Sequence, residues 1–269
     1  MKQIFIRIGK NPSIVFFIIL SFVILSFLLF LVIDVFNIFG IKYIMLNNLD
    51  IPYFWYHWYN MPVESPLQWY ILGITLLIFA INAGVAIEQQ KKDIYVFWLL
   101  MSLGLMLMLV EDAGDVRHHI RGLLFGGSWT YGILGTVFEF LYFSVIGLIL
   151  VFAFFKYRNV FWKKDKIRNY LIIGYLFYGL GVAFSFVGSA FSAVLGFSFY
   201  DKAGQIIFSK LMLRDEISRM IYEQAIYHNE FVVFLFMDRL LEESLELIGA
   251  AGLLTAGIYF FAYSKSIKN

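Results

Sequence analysis

Two acidic stretches carry the chemistry of this chain. One reads Glu111, Asp112, Asp115, Arg117, His118, His119; the other reads Asp238, Arg239, Glu242, Glu243, Glu246. Continued as one helix, Glu111, Asp115 and His118 stand at i, i+4 and i+7 on one face, and so do Asp238, Glu242 and Glu246 at steps of four. If the two faces meet, several carboxylates and an imidazole share a pocket. Like charges a few ångströms apart cannot all stay ionised, so such a pocket binds a cation, shares protons, or takes neutralising charge from Arg117 and Arg239.

Carboxylates with an imidazole and no thiolate suit a divalent metal such as Zn, Fe or Mn. The candidate ligands are Glu111, Asp115, His118, Glu242 and Glu246, with Glu243 or Asp112 as base for a metal-bound water. Asp115-x-x-His118 is a single copy of the acid-x-x-His element that di-iron bundles use twice, so one metal fits the inventory better than two. His119 points about 100° away from His118 around a helix and is a weaker ligand. The structural alternative is plain: acids and arginines near span ends also make interhelical ion pairs or snorkel to water. On that reading Glu139, in FEFLYF, is an arginine partner as readily as a ligand, and Asp34 sits at the interface.

What makes these acids informative is where they lie. The 269 residues are 61% hydrophobic and 15% charged, far from the balance of a soluble domain. Six runs are long enough to cross the hydrocarbon as helices, roughly 13–39, 67–87, 94–112, 131–155, 170–197 and 231–263. The predicted fold is therefore all-α: one polytopic integral membrane bundle over residues 1–269 with about six transmembrane helices. The alternation of a membrane β-barrel is missing. An ionisable group at membrane depth costs roughly 2.5 kcal/mol or more, which makes a functional role the default for both clusters.

Most Lys and Arg, including Lys91, Lys92 and the 156–168 loop, fall on one side of these spans. The positive-inside rule puts both termini in the cytoplasm and the protein in the cell membrane, with the first span retained. Asp34, Glu139, both acidic stretches and all four histidines then gather on the extracytoplasmic half. Two segments could cap them there: the aromatic Ile41–Gln68 and the amphipathic Ser198–Asn229. The Leu123–Tyr131 stretch, with Gly126 and Gly127, reads as a tight turn sooner than as a short re-entrant loop. Glycines in the fifth and sixth spans favour close helix packing. The absence of cysteine excludes disulfides and thiolate sites, and a net charge of +2 without a basic stripe excludes nucleic acid.

The pairing of EDAGDVRHH at the end of one span with LEESLELIGAAGLL in a late one resembles a loose class of prokaryotic multi-pass membrane proteins. These carry an acidic-x-x-x-His element and an L-E-E-x-L-E-x-x-G-A element. The resemblance implies a membrane location and a shared polar site, and brings no activity. In general arrangement the chain also resembles the intramembrane zinc hydrolases related to alkaline ceramidase, although those have seven spans and more histidines on separate helices.

The leading expectation is a metal-dependent membrane protein acting as a hydrolase on lipid near the outer leaflet. The alternatives are a cation or proton transporter or channel using the same acids, and a structural subunit whose charges pair with a membrane-protein partner or a second copy.

Overall fold

Long apolar runs leave the backbone no partner but itself, and helices follow. The computed structural model describes residues 11–48, 53–59, 64–125, 133–187, 200, 202–204, 206, 210 and 236–266, and no strand occurs among them. In chain order the helices are α1 (Ser13–Phe30), α2 (Ile41–Asn48), α3 (Phe54–Tyr59), α4 (Glu64–Glu88), α5 (Lys92–Gly114), α6 (Val116–Phe125), α7 (Ile133–Lys156), α8 (Asp165–Ser185) and α9 (Glu243–Ser266). α1 runs on into a π-helical turn, Leu31–Val35, and another, Phe236–Glu242, leads into α9.

Among the described residues six helical segments are long and apolar enough to cross a membrane: Ser13–Val35, Pro66–Glu88, Lys92–Gly114, Leu134–Lys156, Asp165–Ser185 and Leu240–Ser264. The chain is thus built as a multi-pass helical membrane protein. The predicted spans are all present; the fifth starts earlier, at Asp165, and its helix is described only as far as the π turn that follows Ser185.

α9 is the centre. It is 67% buried over its apolar window, against 17% for the Leu134–Lys156 span, and it packs on α8, α4 and α1. α5 packs between α4 and α7. Small residues let α8 and α9 approach closely: a Cβ on Gly249 would sit 2.5 Å from the Tyr178 nitrogen, and one on Gly252 would sit 2.8 Å from the Gly174 nitrogen. Gly174, Gly249 and Gly252 do the packing expected of small residues in these spans, whereas Gly179 has no neighbour within 4 Å.

The two ends of the bundle differ in chemistry. At one end Ser13 bonds Tyr259 at 2.6 Å, and the α7–α8 loop lays Lys164 over Phe260 and Tyr263 near the end of α9. The α4–α5 turn with Lys91 belongs to this end. The other end holds Asp34, Gln68, Glu111, Asp112, Glu139, Glu242 and Glu246.

Candidate functional site

The first acidic stretch is not one helix. Asp115 takes a left-handed conformation (φ 46°), ending α5 and starting α6 in a new direction. The i, i+4, i+7 face expected of Glu111, Asp115 and His118 therefore does not form. The break instead gives Glu111 a structural task. Its Oε2 accepts the Arg117 backbone N–H at 3.0 Å, capping the N-terminus of α6, and its Oε1 meets Arg117 Nε at 3.2 Å. His119 Nδ1 donates to the Asp115 carbonyl at 2.9 Å, and Asp115 itself is exposed. The side chains of His57, His118, Asp238 and Arg239, and all of His228, lie outside the described residues.

Arg117 extends this cap into an ion-pair network. Glu139, wholly buried on α7, faces Arg121 at 2.6 Å and Arg117 at 3.8 Å, and the Arg117 guanidinium lies 4.6 Å over the Phe143 ring. Two acids and two arginines thus neutralise one another across α5, α6 and α7. Of the readings open for Glu139, the structure realises the arginine partner.

Asp34, at the end of the first span, has a structural task of the same kind and is 0% exposed. The π-helical turn swings its side chain inward, where Oδ1 and Oδ2 accept the backbone N–H groups of Phe54 and Trp55, each at 2.8 Å. The carboxylate caps α3 from a distant span, and the equally buried Lys42 supplies countercharge. π-helical turns recur at functional sites, and here one sits beside each of two acids, Asp34 and Glu242.

What remains after these pairs is a second cluster, on the other side of Asp112. Gln68, buried near the start of α4, donates its amide Nε2 to Glu246 Oε2 at 2.6 Å and to Asp112 Oδ2 at 3.3 Å. Tyr178 of α8 donates its hydroxyl to the same Asp112 oxygen at 2.5 Å. Glu242 accepts the Tyr200 hydroxyl at 2.5 Å. Glu242, Glu243 and Asp112 all lie close enough to Glu246 to repel it. Room for the Glu246 side chain comes from Gly181, whose missing Cβ would sit 2.4 Å from Glu246 Cγ. One amide and two phenols therefore replace the arginines that serve the first cluster.

Of the predicted ligand set, the structure sends Glu111 to Arg117, Glu242 to Tyr200 and Glu246 to Gln68. Among the described residues no three of His, Asp and Glu are arranged to hold a metal ion. The expected base Asp112 is instead at the heart of the second cluster, with Glu243 beside it. Of the predicted outer cap, Ile41–Gln68 contributes α2, α3 and the start of α4. Ser198–Asn229 lies outside the described residues apart from Tyr200 and a few neighbours.

Sequence reasoning missed Gln68, Tyr178 and Tyr200. For Gln68 a signal existed. Gln68, Thr75 and Asn82 repeat every seven residues along α4, a polar stripe on one helix face. All three are buried; Thr75 bonds back to the Ile71 carbonyl, and Asn82 Nδ2 donates to the Gly257 carbonyl of α9 at 3.0 Å. The two tyrosines carried no signal, because phenols are common in these spans.

Comparison of the chain with protein-family models, with curated proteins and with solved structures finds no match.

Proposed function

We propose that this multi-pass membrane protein couples its function to proton binding, with Asp112 and Glu246 holding one proton between them. The observation that carries this reading is the shared amide: one Gln68 nitrogen serves both carboxyl groups, while the arginines Arg117 and Arg121 are engaged by Glu111 and Glu139. Two acids so held in a helix bundle carry one negative charge at far lower cost than two. Tyr178 steadies the ionised partner by hydrogen bonding to Asp112.

The stripe on α4 supports transport over a closed binding site. It runs from the pair toward the lysine-rich end, each step about 10.5 Å long at 1.5 Å per residue. Gln68 Oε1 and Asn82 Oδ1 are buried and, among the described residues, accept no hydrogen bond. They are the acceptors that a file of water between the side chains would use. With the lysine-rich end in the cytoplasm, the pair faces the outer leaflet of the cell membrane.

Infrared pH titration of the purified protein tests this. A carboxylic C=O band that titrates, vanishes in Glu246→Gln and shifts in Gln68→Leu is the expected result. A spectrum indifferent to both substitutions refutes the shared proton. Proteoliposomes carrying an internal pH dye then separate passage of protons from binding alone.

A second reading keeps the metal. The mutual repulsion of Asp112, Glu242, Glu243 and Glu246 would also be relieved by a divalent cation, Zn, Fe or Mn, drawn to Glu242 and Glu246, with Glu111, Asp115 and His118 completing the pool after rearrangement. A hydrolase acting on lipid would then use Glu243 or Asp112 as base. Elemental analysis of wild type beside the Glu242→Ala, His118→Ala double variant tests it: stoichiometric metal lost in the variant supports this reading, and its absence from the wild type removes it.

A further inference from the structure

The end of the bundle away from the carboxylates contains a second organised site. Lys164, in the α7–α8 loop, is half-buried. Its ammonium donates to the Val160 carbonyl at 2.9 Å and lies 4.6 Å from the Phe260 ring centroid and 4.4 Å from that of Tyr263. Lys91, from the α4–α5 turn, is close enough for its like charge to act on this amine. Lys91 Nζ bonds a neutral partner, Gln89 Oε1, at 2.8 Å. Among the described residues no carboxylate lies within ion-pair distance of either lysine; the neighbouring Asp165 is taken by Arg168 at 3.1 Å.

This arrangement is unlike a solvated charge run. Burial and the like charge of Lys91 lower the Lys164 amine from its usual 10.5 to about 8. An ammonium held half-buried over two aromatic rings at the end of a spanning helix, with a second lysine near enough for its charge to reach it, has the make-up of an anion site. The position decides which anion fits. Aromatic rings at a span end sit at headgroup level, and lysines there attract anionic headgroups.

We infer that Lys164 and Lys91 bind the phosphate of an anionic phospholipid headgroup, seated against Phe260 and Tyr263 where α9 leaves the bilayer. The lipid's phosphodiester accepts hydrogen bonds from both ammonium groups while its chains run along the bundle. The site is independent of the Asp112–Glu246 pair and stands or falls separately from it.

Native mass spectrometry of the full-length protein in mild detergent tests this, with phosphatidylglycerol, phosphatidylcholine of the same chains and inorganic phosphate as separate titrants. Wild type should retain one phosphatidylglycerol in preference to phosphatidylcholine. Lys91→Gln, an exposed change that leaves the fold alone, should weaken that binding about five-fold, and Lys164→Gln by at least as much. Lys164→Arg, which keeps the charge, should retain binding, and Lys163→Gln on the exposed side of the loop should change it less than two-fold. Equal losses from Lys163→Gln and Lys91→Gln would replace the site with diffuse surface charge. Equal binding of the two lipids, or occupancy by inorganic phosphate without phosphatidylglycerol, would overturn it.

Discussion

Two glycine-to-alanine substitutions on one helix interface should have opposite consequences. A Cβ on Gly249 falls 2.5 Å from the Tyr178 nitrogen, 2.7 Å from its Cβ and 2.8 Å from its Cα. Two of the three are backbone atoms, with no rotamer to retreat into. Restoring ordinary contact of about 3.5 Å separates α8 from α9 by about 1 Å. Overpacking of this kind costs about 1–3 kcal/mol, more than the gain of up to about 1 kcal/mol from alanine in a helix. A Cβ on Gly181 instead meets Glu246 Cγ at 2.4 Å and Oε1 at 3.2 Å, a flexible side chain that can rotate aside. The lost hydrogen bond to Gln68 costs about 1 kcal/mol, which the same helical gain offsets. Gly249→Ala should therefore unfold earlier in mixed-micelle denaturant titration by about 1–2 kcal/mol. Gly181→Ala should stay within about 0.5 kcal/mol of wild type yet lose the titrating carboxylic band of the Glu246 pair. If Gly181→Ala unfolds like Gly249→Ala, or Gly249→Ala costs nothing, the close α8–α9 contact and the site built against it are wrong.

The remaining predictions concern the other polar clusters. Removing a partner from the buried network, Arg121→Leu, should destabilise the protein by about 3 kcal/mol, because Glu139 keeps only the longer contact to Arg117; adding Glu139→Gln should recover much of this in the same unfolding titration. Asp34→Leu leaves two buried N–H groups of α3 without their acceptor and should cost about 2 kcal/mol or more, whereas Asp34→Asn should lose about half as much. The Lys164 amine should show a midpoint near 8 in competitive acylation, below its usual 10.5. Since its folded value is depressed, its charging penalty is fully present below about pH 8. Stability should therefore rise as the pH climbs from about 8 to 10.5, where the folded chain has released this proton and the unfolded chain has not. Bound anionic lipid should move the acylation midpoint upward.

Six spans, their order and the gathering of acids at one end were legible because each depends on local composition: some twenty apolar residues make a helix in lipid, and consecutive spans alternate in direction. The division of labour among the acids was not. Glu111 looks like a ligand and Asp34 like an interfacial acid in sequence, and both prove to be helix caps, because the N–H groups they serve belong to α6 and to α3, brought within reach by a left-handed turn at Asp115 and a π-helical turn at Leu31–Val35. Periodicity assumes an unbroken helix, and a single residue with positive φ voids it. Conversely Gln68, Tyr178 and Tyr200 are unremarkable as residue types. They matter because the fold delivers Gln68 of α4 to Glu246, Tyr178 of α8 to Asp112 and Tyr200 to Glu242, across 178, 66 and 42 residues of chain. Sequence by itself determined what this protein dissolves in and which ionisable groups must be accounted for there, since both follow from the cost of leaving water. Tertiary structure alone decided which charge meets which partner, and so which acids are spent on folding and which are left for function, because that depends on distances between helices that no spacing along the chain encodes.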